Sequence, residues 1–278
     1  MVSQRFAVSS KDGVTISFEK AGSGPALLLV HGAAVDSSAA WSLVLPRLTE
    51  HFTVYAMDRR GRAPSGDAKS HSIWAEVEDL MAVVDAIGEP LTLLGHSFGG
   101  IIALAALDRL KSVTRLILYE PPVFEFPRAL RYAEILESLD RALAAGDREQ
   151  IVEIFFRDQI GTDPSTLARL RSSPMWAVFT RMAGALPREA RVVNTFRVDT
   201  GKLSQWRVPT TMLLGGESPG EVRDGTLFIC RSISGCNVVI LEDQGHSAML
   251  SAPELFAAKV IELACTPSPE PAHTARDV

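Results

Sequence analysis

Along the 278 residues the spacing of apolar and polar positions changes period several times, and each change marks an element. Phe6 to Ser9 and Val14 to Glu19 flank a Lys11-Asp12-Gly13 turn, which predicts two short strands. Ala26 to Val30 is a continuous apolar run, the pattern of a strand covered on both faces, and Leu91 to Leu94 predicts another buried strand. Thr53 to Met57 and Arg115 to Tyr119 predict two more strands. Ser38 to Glu50, Ile73 to Ile87 and Ile101 to Leu110 predict helices, the second stopped by Gly88. This alternation predicts an α/β fold with a mostly parallel, doubly wound sheet.

From Pro121 to about Trp206 the alternation gives way to helical spacing. Leu130 to Ala145 predicts an amphipathic helix closed by Gly146. Asp147 is placed to cap a second helix running to about Ile160, and Asp163-Pro164 opens a third. Strand and helix signals resume with Thr210 to Leu214, Gly225 to Ser232, Val238 to Leu241 and Pro253 to Ala264. The expected organisation is therefore a core of residues 1–120 and 207–265, a helical cap of residues 121–206, and a Pro-rich, disordered tail over 266–278. The cap is expected over the C-terminal ends of the strands, where α/β sheets place their ligands. It carries Phe124, Phe126, Phe155, Phe156, Trp176 and Phe179. At helical spacing these are expected mainly as cap core; two facing a cavity would suit a medium-sized apolar acyl group.

Composition narrows the function classes. A formal charge of −5, without a dense Lys/Arg stripe, argues against nucleic acid or an anionic membrane as a partner. No apolar run approaches the length of a membrane span, and the N-terminus lacks the apolar core of a secretory signal. Cys230, Cys236 and Cys265 lack metal-ligand spacing and are expected as reduced, packed thiols. These features point to the cytoplasm, a small-molecule substrate and no metal or cofactor.

The chemistry concentrates at Gly95-His96-Ser97-Phe98-Gly99, a G-x-S-x-G motif directly after one predicted strand and directly before a helix. A serine on so sharp a turn needs small residues two positions away, and Gly95 and Gly99 supply them. His96 is expected to pack beside the turn, because a base must reach Ser97 from across the site. With His31-Gly32 after the third strand, DRRGRAPS at Asp58 to Ser65, GHSFGG at Gly95 to Gly100 and GHSAMLSAPELF at Gly245 to Phe256, nearly the whole chain resembles the α/β-hydrolase family. The Asp58 segment departs from the family's glycine pattern at Ala63 and Pro64. It is expected as loop structure, with Arg59 or Arg60 at most a contact at the rim.

The resemblance implies a serine nucleophile, Ser97, and a late-chain base. His246 alone among the six histidines lies between the last strand and the last helix. It also implies an oxyanion hole from the backbone N–H groups of Phe98 and Ala33. The acid departs from the usual pattern: Ser218 falls where most members carry aspartate, with Glu217 one residue early. Some members instead place the acid at the end of the strand before the cap, here Glu120. Glu120 is favoured over Glu217, and Asp243 comes third. Serine in place of aspartate at Ser97 argues against dehalogenase or epoxide hydrolase chemistry. Ester hydrolysis through an acyl-serine is the first reading. C–C bond hydrolysis, perhydrolysis or a lyase step on the same fold is the alternative, and a non-enzymatic receptor the third.

Overall fold

A computed structural model describes residues 3–124 and 131–265. Eight strands make one sheet: β1 (Gln4–Ser9), β2 (Thr15–Gly22), β3 (Ala26–Val30), β4 (Thr53–Met57), β5 (Leu91–His96), β6 (Val113–Tyr119), β7 (Thr210–Gly215) and β8 (Asn237–Leu241). Their order is β1-β2-β4-β3-β5-β6-β7-β8. β2 runs antiparallel to both neighbours and the rest pair in parallel. Every residue of β3 and β4 is buried, as the continuous apolar run of β3 requires.

The helices are α1 (Ser37–Trp41), α2 (Leu45–Leu48), α3 (Ile73–Ile87), α4 (Phe98–Ala105), α5 (Arg131–Ala144), α6 (Arg148–Ile154), α7 (Pro164–Arg171), α8 (Met175–Met182), α9 (Leu186–Thr195), α10 (Thr200–Gln205), α11 (Gly220–Ser232), α12 (Ala248–Ser251) and α13 (Pro253–Cys265). Alternate residues of each central strand face opposite sides. Leu27, Leu29, Leu94 and Ile117 join one apolar cluster, and Leu28, Leu93, Leu116 and Leu118 another.

Several boundaries differ from the sequence expectation. Ser38 to Glu50 is two short helices, because Pro46 starts a new turn and cannot donate to the one before it. The helix after Ser97 begins at Phe98 rather than Ile101 and ends at Ala105. Past Ile154, α6 widens into a π-helical turn, Phe155–Ile160, closed by Gly161 in the left-handed conformation. The helix expected from Gly225 starts at Gly220.

Between β6 and β7 the described residues form helices and no strand. Ile135, Leu139, Ile151, Phe155, Trp176 and Phe179 from this stretch share one buried cluster with Leu29 and Trp41 of the sheet side. Phe126 and the tail 266–278 lie outside the described residues. Among the described residues no helix is long and apolar enough to cross a membrane. Cys265 is exposed rather than packed, since it ends the last helix; Cys230 and Cys236 are partly buried.

Candidate active site

Ser97 stands between β5 and α4 with φ 51° and ψ −116°, a backbone conformation that a side chain adopts only under constraint. The constraint is visible. Its N–H donates to the Tyr119 carbonyl at 2.8 Å, and the chain then turns at once into α4. The glycines make room for the turn: a Cβ at Gly99 would collide with the Val30 carbonyl, and one at Gly95 would press on the backbone of Gly99 and Gly100. The elbow is affordable only because those positions carry no side chain.

Beside it, β5 and β6 pair in register through His96 and Tyr119. Glu120 follows β6 as Ser97 follows β5, also at positive φ, 47°, and is fully buried. Its carboxylate is completely engaged. Oε1 accepts from the Gly215 N–H and the Ser218 hydroxyl, each at 2.6 Å, and Oε2 lies 2.6 Å from His246 Nδ1. Ser218, at the position where the resemblance leads one to expect aspartate, is thus a hydrogen-bond donor to the carboxylate. Glu217 is exposed, and its N–H donates to the Gln244 carbonyl. Asp243 is also exposed and, at φ 56°, turns the loop toward His246.

The His246 loop is braced from beneath. The Tyr119 hydroxyl donates to the Gly245 carbonyl and accepts from the Ala248 N–H at 3.2 Å. Burial pushes the Tyr119 phenol well up, so it stays protonated. His96 donates from Nε2 to the His246 carbonyl at 2.9 Å, and the two rings lie 4.7 Å apart. Burial, followed by the neighbouring His246, holds His96 well below the usual imidazole range. His96 is therefore a neutral strut under the loop.

The DRRG segment is where the structure departs furthest from the sequence expectation. Arg59, Arg60 and Arg62 are not at a rim; all three are fully buried. Arg59 bonds Glu76 of α3 through Nε at 3.0 Å and Nη2 at 2.6 Å, Glu189 of α9 at 2.6 Å, and the Gly32 carbonyl at 3.1 Å. Arg60 is held by Asp79 and Asp12. A buried cation without such partners would be prohibitively costly. Sequence carried a signal for this: Glu76 and Asp79 fall on the same helical stripe as Val77, Leu80 and Val83, where acids have no place unless paired.

Phe98 is buried at the first position of α4, where a helix N–H has no partner within the helix. Ala33 follows Gly32, which packs directly against Ser97. Among the described residues no cluster of three or more His, Cys, Asp or Glu could hold a metal ion. A cavity of about 900 Å³ opens between α3, α4, α9 and α10; His71, Arg188 and Arg191 line it, while Ser97 and His246 do not.

The model of the alpha/beta hydrolase family matches residues 27–259. The chain belongs to this family. An alpha/beta hydrolase from Sphaerobacter thermophilus superposes with a TM-score of 0.82 at 33% identity, covering 93% of this chain and 99% of that one. A pyrrolizixenacetamide deacetylase of Xenorhabdus hominickii is 31% identical over 156 residues, 54% of this alpha/beta hydrolase and 50% of that protein. A 2-hydroxymuconate semialdehyde hydrolase of Pseudomonas sp. is 33% identical over 123 residues, 41% of this chain and 43% of that protein. This chain thus matches half or less of the length of these curated relatives.

Proposed function

We propose that this hydrolase cleaves a carboxylic ester or related acyl bond of a small, apolar molecule through an acyl-Ser97 intermediate. The observation that carries the reading is the 2.6 Å contact between His246 Nδ1 and the buried Glu120 carboxylate, on the strand end beside the Ser97 elbow. A carboxylate can only accept there, so Nδ1 keeps its proton and Nε2 is free to take the one from Ser97. Ser97 then attacks the acyl carbon. The Phe98 and Ala33 N–H groups stabilise the oxyanion, and His246 returns the proton to the departing alcohol. Water repeats the sequence on the acyl-enzyme and frees the acid.

The test is a fluorophosphonate label combined with p-nitrophenyl esters of increasing chain length. Label on Ser97 of the wild-type protein, and a loss on the order of 10³-fold or more in Ser97→Ala, are expected. Near-normal turnover by folded Ser97→Ala would sink the reading. Hydrolytic C–C cleavage is the second reading, favoured by the relationship to the Pseudomonas semialdehyde hydrolase. Cleavage of a diketone with no turnover anywhere on the ester panel would put it first.

A further inference from the structure

The Gly32 carbonyl is held by two donors. His31 lies with Nδ1 2.8 Å from it, while His31 Nε2 accepts the Arg59 backbone N–H at 3.2 Å. Since Nε2 must accept, the ring proton sits on Nδ1 and is donated to Gly32. Burial, reinforced by Arg59 and Arg62, holds His31 well below the usual imidazole range, so this neutral tautomer persists. The second donor is Arg59 Nη1, at 3.1 Å. Across a planar trans peptide the C=O and the next N–H point in opposite directions. Fixing the Gly32 carbonyl therefore fixes the direction of the Ala33 N–H.

The same guanidinium lies 4.1 Å above the Phe98 ring. One side chain thus touches Phe98 and the Gly32 carbonyl, which shares its peptide plane with the Ala33 N–H; the Phe98 and Ala33 N–H groups are the two that the proposed mechanism uses. Its own position is fixed from two sides. Glu76 holds it from α3, and Glu189 reaches it from α9 across the helical stretch between β6 and β7. Glu189 Oε1 also lies 2.6 Å from Arg62 Nη2. Burial raises and the two arginines lower the Glu189 carboxyl, and the net effect is a lowered value, so it stays charged.

We infer that Arg59 is a positioning residue for the oxyanion hole, aligning the Gly32–Ala33 peptide and the Phe98 turn, and that Glu189 holds it there from the helical insert. This rests on the acyl-serine reading and extends it. Arg59 never meets the substrate; it acts through the direction of two N–H groups. A donor aimed only approximately at an oxyanion stabilises the transition state less, while ground-state binding is little changed.

The experiment compares Arg59→Lys and Glu189→Gln with Arg60→Lys, a control on the same loop whose arginine is equally buried but bonds Asp79, Asp12 and the Ala75 carbonyl instead. A lysine cannot serve Gly32, Glu76 and Glu189 at once. Where Arg59→Lys does not fold, Glu189→Gln, which keeps the side-chain volume, carries the test. Active sites are counted by fluorophosphonate titration, so that kcat refers to competent molecules only. A trifluoromethyl ketone, which forms an oxyanion on the serine, reports the hole directly. The expected result is a fall in kcat per site of about tenfold or more with KM within about twofold, and an equal loss of ketone affinity. Arg60→Lys should lose stability but keep kcat per site. Wild-type kcat and ketone affinity in Glu189→Gln or in folded Arg59→Lys would overturn the inference, as would an equal loss in Arg60→Lys. In each case labelled Ser97 leaves the acyl-serine reading standing. Failure to label wild-type protein would instead remove that reading, and the inference with it.

Discussion

At the scale of single residues, two glutamates near the site should behave very differently. In Glu120→Gln the amide oxygen can still accept from Gly215 and Ser218, which turns the NH2 toward His246. Nδ1 must then accept, and the ring proton moves to Nε2, the nitrogen that takes the Ser97 proton in the proposed mechanism. The wrong tautomer and the missing charge together should lower kcat by about 10⁴, with the fold retained. Glu217→Gln, exposed and bonded only through its backbone, should keep kcat within about twofold. Steady-state kinetics on both variants decides the matter; the reverse pattern would move the acid to Glu217. Tyr119→Phe belongs beside them. It removes the hydroxyl that joins Gly245 to Ala248 and leaves a buried N–H short of a partner, at a cost of about 1–3 kcal/mol. Urea unfolding should register that loss, together with a drop in kcat as the His246 loop loosens.

Among the elements, α3 holds two glutamates two positions apart with opposite surroundings. Glu76 is buried against Arg59 and His71, and Glu78 pairs at the surface with Arg109. Glu76→Gln should cost about 3–5 kcal/mol, because it leaves a buried cation short of its counter-charge. Glu78→Gln should cost about 0–1 kcal/mol. Equal shifts in the urea midpoint would contradict the buried-pair account. The same helix shows what the chain makes legible. Ile73–Ile87 follows from its apolar spacing, the Ser72 cap and the Gly88 stop, all local signals. β3 is equally legible because burial on both faces leaves no polar interruption. The buried arginines are legible only indirectly, through the two acids on the apolar stripe of α3. Three cations in a loop look like a solvated surface until their partners are known, and Glu189 lies 130 positions from Arg59. At the site, the strand-end position of Glu120 and the missing aspartate at Ser218 were local, but the hydroxyl of Ser218 as a donor to Glu120 required the register of β6 on β7.

At the scale of the molecule, acid should weaken the fold through its buried histidines. His31 and His96 are both depressed, chiefly by burial, and so stay neutral when folded. Below about pH 6.5 the unfolded chain binds protons there that the folded chain refuses. Stability is therefore full above that value and declines as pH falls toward the depressed folded values, by up to about 1.4 kcal/mol per pH unit for each histidine. Urea midpoints measured from pH 7.5 to pH 5 should fall, and His96→Gln should flatten the slope; a level profile would contradict the buried, neutral assignment. The position of Glu120 reaches further. It stands immediately before Pro121, so Ser97 and Glu120 both precede the helices α5 to α10, and His246 follows them. A chimera that exchanged the stretch between Pro122 and Arg207 for that of a relative would leave all three in place. It would nevertheless strand Arg59 and Arg62 without Glu189, unless the incoming helix delivered a carboxylate to the same spot. Such an exchange would thus be limited less by the three proposed catalytic residues than by whether one buried charge finds its opposite.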